Sequence, residues 1–116
     1  MQQPQESEIQ QFHAQICQAL ADPTRILLLY RLSEGPQNVG ELAAALSVSQ
    51  PTVSRHLKVL RERGMVTTTR YGATVEYRLI DDRPIQALDL LRSVLRDNLS
   101  RNAELVGVLN ESTESK

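Results

Sequence analysis

At 116 residues, with 41% hydrophobic and 3% aromatic residues, a net charge of −1 and one cysteine, the chain has room for one small core and none for a large cleft between lobes. A single cysteine excludes an intrachain disulfide framework, and a near-neutral charge argues against indiscriminate coating of nucleic acid. No apolar run reaches membrane-helix length and Met1-Gln2-Gln3-Pro4-Gln5 lacks the basic and apolar regions of a signal peptide, so a cytoplasmic protein without a membrane partner is expected.

One domain over 1–116 is expected, with flexible polar tails at 1–5 and 110–116. Ile9, Phe12, Ile16 and Leu20 recur at three- and four-residue steps, which predicts a first amphipathic helix from about Glu6 to Leu20. Asp22 is placed to cap a second helix and Pro23 to open it. Ile26 to Leu32 is then apolar on nearly every side, as in a central buried helix, until the turn cluster Ser33-Glu34-Gly35-Pro36. Asn38 can cap a short third helix, Val39 to Leu46, with Leu42, Ala43 and Leu46 inward; Ser47-Val48-Ser49 follows as a tight turn.

The stretch Ser49 to Gly64 carries a complete helix signal. Ser49 is a good N-cap, Pro51 sits where an N–H is dispensable, and Gly64 supplies a left-handed end. Val53, Leu57 and Leu60 form one apolar stripe. The other side holds Gln50, Thr52, Ser54, Arg55, Lys58 and Arg61, with no carboxylate before Glu62. Amide, hydroxyl and guanidinium groups on an exposed face are the types that reach base edges and phosphates, so this stretch reads as a DNA-recognition helix. Charge agrees: residues 49–78 hold six Arg/Lys against two Glu, a local +4 that leaves −5 for the remainder.

After Gly64 the period becomes alternating. Val66 to Tyr71 and Thr74 to Leu79, separated by Gly72-Ala73, predict a two-stranded hairpin. Asp81-Asp82 and Pro84 begin a long last helix, Pro84 to about Leu109, with Ile85, Leu88, Leu91, Leu95, Leu99 and Leu105 along one side and Leu90 and Val94 beside them. Asp81-Asp82 resembles a carboxylate pair, but a helix N-terminus favours acids as caps. The fold expected is mainly α with a small β-hairpin: a winged helix-turn-helix in the order α-α-α-α-β-β-α. Its first and last helices carry more apolar surface than one small core absorbs, so a symmetric homodimer is expected through Ile9, Phe12, Ile16, Leu88, Leu91, Leu95 and Leu99.

The segments Ala19-Leu20-Ala21-Asp22-Pro23-Thr24-Arg25-Ile26, Gly40-Glu41-Leu42-Ala43, Ser49 to Leu57 and Tyr77-Arg78-Leu79 together resemble the ArsR/SmtB family of bacterial winged-helix repressors, over roughly residues 9–105. The resemblance implies a dimer on an imperfectly palindromic double-stranded operator, released by an effector, with the recognition helix in the major groove and the hairpin wing on the flanking backbone or minor groove. It implies DNA contacts at Ser49, Gln50, Thr52, Ser54, Arg55 and His56, and wing contacts at Arg70, Tyr71 and Thr74. For His56, beside the apolar stripe, a packed core-edge histidine remains an equal alternative.

The sensing positions depart from the family. Where arsenic sensors carry thiolates this chain has Asn38, Val39, Gly40 and Ala43, and where zinc sensors carry carboxylates and imidazoles it has Asp81, Arg83, Val94 and Asp97, so neither usual metal site is expected. His13 and Cys17 share a helix face and form a candidate transition-metal or thiol-sensing pair, against the plainer reading of Cys17 as a small packing residue. No cofactor is otherwise expected. No nucleophile–base constellation, phosphate-binding glycine loop or two-metal carboxylate cluster occurs, so an enzyme is not expected. The missing metal ligands also leave open a second class of function, an interaction module whose protein co-regulator binds the metal or other effector.

Overall fold

In the computed structural model the backbone is described for residues 2–114 and side chains as far as residue 104. The chain divides into two units, residues 1–82 and 83–116.

The first unit opens with α1, Glu6–Phe12, whose first turn carries Glu6 and Glu8 beside the free amides. The chain then widens into one π turn, His13–Cys17, where the Gln18 amide donates to the His13 carbonyl at 3.0 Å rather than to Ala14. The uninterrupted helix expected to Leu20 is therefore two kinds of turn in succession.

Helix α2, Pro23–Ser33, is capped by Asp22, whose carboxylate accepts from the amides of Thr24 at 2.9 Å and Arg25 at 3.2 Å. It buries Leu28, Leu29 and Leu32 but leaves Leu27 54% exposed, so one face is central rather than the whole helix. Helix α3, Val39–Leu46, begins with a reciprocal capping box: Asn38 Oδ1 accepts from the Glu41 amide at 2.8 Å, and Glu41 accepts from the Asn38 amide at 3.0 Å. Its end is closed by Ser47 at φ 56°, with the Val48 amide reaching back to the Ala43 carbonyl at 3.1 Å.

Helix α4, Gln50–Glu62, starts at Ser49, which accepts from the Thr52 amide. It stops at Gly64, φ 75°, where the Gly64 amide donates to Arg61 at 3.1 Å and the Met65 amide to Leu60 at 2.9 Å. That pair of bonds is the Schellman closure, which satisfies the last carbonyls and turns the chain into the sheet.

Strands β2, Val66–Tyr71, and β3, Thr74–Leu79, pair antiparallel from Val66 opposite Leu79 to Tyr71 opposite Thr74, over the same residues the alternation predicts. Gly72, φ 62°, takes the first loop position. The expected two-stranded hairpin is in fact part of a three-stranded sheet, because β1, Gln37–Asn38, adds to the free edge of β3 with Gln37 opposite Tyr77. The core of this unit is Ala19, Leu28, Leu29, Leu32, Leu42, Ala43, Val53, Leu57, Leu60, Met65 and Val66, and no polar residue is buried among the described residues.

The second unit is α5, Arg83–Glu114, 32 residues long. It begins one residue before and runs past the expected Pro84–Leu109 span, taking in residues 110–114 that composition marks as tail. Leu90, Leu91, Val94, Leu95 and Leu99 are each more than half exposed, whereas Leu88 is 6% exposed. The side chain of Leu105 lies outside the described ones. No described helix is long and apolar enough to cross a membrane.

Candidate nucleic-acid interface

Helix α4 sits on the core through Val53, Leu57 and Leu60, all fully buried. This stripe fixes which face is outward: Gln50, Ser54, Arg55, Lys58 and Arg61 are exposed. The structure thus brings five of the residues expected to contact DNA onto one solvent face, with Gln50 and Ser54 near the helix N-terminus, the end that enters a major groove in helix-turn-helix proteins.

Two other expected contacts are engaged locally. The Ser49 hydroxyl donates to Thr52 Oγ1 at 2.9 Å while accepting from the Thr52 amide at 3.4 Å, and Thr52 is half-buried. At the hairpin tip Arg70, Tyr71 and Thr74 are exposed, with Tyr71 at 56%. Arg78, on the neighbouring strand, donates from Nη2 to the Tyr71 hydroxyl at 3.4 Å.

His56 points elsewhere. Its side chain is 12% exposed, with Nε2 3.9 Å from Asp22 Oδ1 and Nδ1 3.2 Å from Arg25 Nη1. A guanidinium only donates, so in this contact Nδ1 is the accepting nitrogen, and Nε2 faces the carboxylate. Arg25 also donates from Nε to the Ala19 carbonyl at 2.7 Å and from Nη2 to the Gln18 carbonyl at 3.0 Å. Burial pushes the Asp22 carboxyl up, but the Arg25 amide, the field of His56, the Thr24 amide and the Arg25 guanidinium together hold it below its ordinary value of 3.8. Arg25 was invisible to composition and periodicity as anything but a surface charge. Its sequence signal is its place in the first turn after the Asp22-Pro23 cap, which aims its side chain back toward the preceding helix. Arg63, which the sequence shows only as basic charge, reaches across to the π turn: Nη1 donates to the Ala14 carbonyl at 2.8 Å and to Gln15 Oε1 at 3.3 Å.

Of the sensing candidates, His13 is exposed and Cys17 half-buried. Among the described residues no three His, Cys, Asp or Glu side chains gather where they could hold a metal ion. Asn38 is occupied as the cap of α3. Val94 is exposed on α5.

Residues 22–68, from the α2 cap through α3 and α4 into β2, match the family model of the bacterial regulatory proteins of the arsR family. The chain is 40% identical over 79 residues to the biofilm growth-associated repressor of Agrobacterium fabrum, a match that spans 68% of each protein. The chain belongs to the ArsR family. It is also 45% identical over 78 residues to the transcriptional repressor SmtB of Mycobacterium tuberculosis, covering 67% of this chain but only 58% of that relative. Among solved structures it is similar to the homodimeric winged helix-turn-helix DNA-binding domain of a possible ArsR-family regulator from Mycobacterium bovis. That match has a TM-score of 0.72 at 25% identity, over 86% of this chain and 93% of that one. As an ArsR/SmtB-type winged-helix protein the chain is a transcriptional regulator and not an enzyme.

Proposed function

We propose that this ArsR-family protein is a homodimeric repressor that binds a double-stranded operator of imperfectly palindromic sequence through α4 and the β2–β3 wing. The observation that carries the reading is the face of α4: Gln50, Ser54, Arg55, Lys58 and Arg61 exposed together, opposite the buried Val53, Leu57 and Leu60. In this reading Gln50, Ser54 and Arg55 contact base edges, with Ser49 and Thr52 holding the first turn and its amides toward the backbone. Lys58, Arg61 and Arg70 neutralise phosphates, and Tyr71 and Thr74 carry the wing against the flanking groove. Dimerisation uses Ile9 and Phe12, 47% and 51% exposed, with Ile16, and the exposed Leu91, Leu95 and Leu99 of α5. Leu88, already covered, adds little. The homodimeric state of the Mycobacterium bovis neighbour supports this. The inducer is then bound by groups other than the thiolate and imidazole sets whose positions hold Asn38, Gly40, Ala43, Arg83 and Val94. A regulator with this surface acts in the cytoplasm, where its operator is.

The test is selection of duplexes from a random library by the purified protein, followed by titration of the selected duplex. Wild type should enrich a palindromic sequence, and Arg55→Ala should weaken its binding by roughly 1–3 kcal/mol and relax preference at one base pair in each half-site. Unaltered affinity and preference in Arg55→Ala would show that α4 is not the reading helix. Binding only after addition of a second protein would favour the co-regulator-dependent module instead.

A further inference from the structure

The apolar seat of α4 is the stripe Val53, Leu57 and Leu60, and apolar burial is non-directional, so the stripe sets the buried face without a directional bond against a small roll about the helix axis. Rolling matters for recognition: side-chain tips lie ~5–6 Å from a helix axis, so a roll of about 10° moves them by about 1 Å, more than a base contact tolerates. Two side chains on one flank of α4, His56 and Arg63, stand two helical turns apart, and both are tied toward the end of the first helix. His56 Nδ1 accepts from Arg25 Nη1 at 3.2 Å, while Arg25 Nε and Nη2 hold the Ala19 and Gln18 carbonyls at 2.7 and 3.0 Å. Arg63 Nη1 holds the Ala14 carbonyl at 2.8 Å.

The π turn explains why Ala14 can accept. In an α-helix its carbonyl would take the Gln18 amide; here that amide goes to His13 instead, and the carbonyl receives the guanidinium. A one-turn widening inside a helix is a common device at functional positions, and in this chain it opens a socket for Arg63.

We propose that Arg25 and Arg63 are positioning residues for DNA binding: two guanidinium ties that fix the roll of α4 against the π turn and the turn that follows it, and so aim Gln50, Ser54 and Arg55. His56 serves as the α4 end of the first tie. The inference rests on the DNA-binding reading above. It also assigns Arg63 a role unlike that of Lys58 or Arg61, since its Nη1 is engaged by the Ala14 carbonyl and Gln15 Oε1.

The decisive comparison uses the full chain as wild type, Arg63→Ala and Arg63→Lys. Binding is measured on a duplex selected from a random library by wild type and on a mixed-sequence duplex, each across a salt series, with hydrogen exchange of the DNA-free proteins alongside. Arg63→Ala should lose about tenfold in affinity for the selected duplex. Its affinity for mixed sequence, its salt slope and its helix content should be unchanged, and amides 13–18 should exchange faster. Arg63→Lys, which keeps a donor for Ala14, should recover most of the loss. Arg25→Lys, which breaks the other tie, should show the same selective loss. Equal losses on both duplexes with a salt slope smaller by ~1 would mark Arg63 as a phosphate contact and overturn the proposal. Unchanged affinity for the selected duplex would overturn it as well. Should wild type select no duplex, the DNA reading falls, and unaltered exchange at 13–18 in Arg63→Ala then overturns the tie independently.

Discussion

Asp22 does two jobs with one carboxylate: it caps α2 through the Thr24 and Arg25 amides and faces the His56 ring. Its pKa is depressed in the folded chain, so it contributes stability that is fully present above the ordinary value of 3.8 and is lost as pH falls through the lower folded value. Asp22→Asn should therefore be less stable than wild type at neutral pH, with the difference shrinking below about pH 3.8 in chemical denaturation run as a pH series. Ser47 closes α3 at φ 56°, a left-handed conformation that costs a side-chain-bearing residue about 1–2 kcal/mol. Ser47→Gly should relieve part of that cost, offset by glycine's greater freedom when unfolded, and raise the denaturation midpoint by the equivalent of about 0.5–1 kcal/mol. The cap residues Asp22, Asn38, Ser49 and Gly64 are legible in the sequence because each acts on amides or carbonyls within three or four residues of itself. His56 was not: whether it turns out to DNA or in to Asp22 depends on Arg25, 31 positions away in the chain.

At the scale of elements, helix punctuation and strand alternation suffice to place α2, α3, α4, β2 and β3. These are the elements whose apolar period and turn chemistry point the same way. Strand β1 is two residues long, too short to show a period, and exists because the edge of β3 offers unpaired backbone groups to Gln37 and Asn38. The π turn has no residue signature either; it accompanies a tertiary contact from Arg63. Helix α4 is seated on the core by its stripe, so Leu57→Ala, which empties a fully buried site, should destabilise the fold by ~2–5 kcal/mol in equilibrium unfolding. On its outer face the expectation is electrostatic. Lys58→Ala should leave stability nearly unaltered, weaken binding to selected and mixed duplexes alike, and reduce the slope of log affinity against log salt by about 1.

For the whole molecule, net charge conceals more than it tells: a chain of charge −1 carries its positive excess between residues 49 and 78, on α4 and the hairpin. The opposite problem attends the apolar surface. Leu90, Leu91, Val94, Leu95 and Leu99 are all more than half exposed on α5, and large apolar side chains recurring along one helix are the signal from which dimerisation is expected in the sequence. Substituting Leu91 and Leu95 together by Glu should shift the sedimentation coefficient from that of a dimer to that of a monomer, and abolish tight operator binding while leaving the 1–82 unit folded. The sensing end resists the same reasoning: His13 and Cys17, the pair that spacing singles out, are joined by no third His, Cys, Asp or Glu among the described residues.

A homodimer presenting α4 to DNA makes one geometric demand that no other reading shares. Hydroxyl-radical footprinting on the duplex selected by wild type should show two symmetric protected half-sites with centres about one helical turn, ~10–10.5 base pairs, or a multiple of it apart, and Arg55→Ala should weaken both together. A single asymmetric footprint, or a symmetric one untouched by Arg55→Ala, would contradict the account.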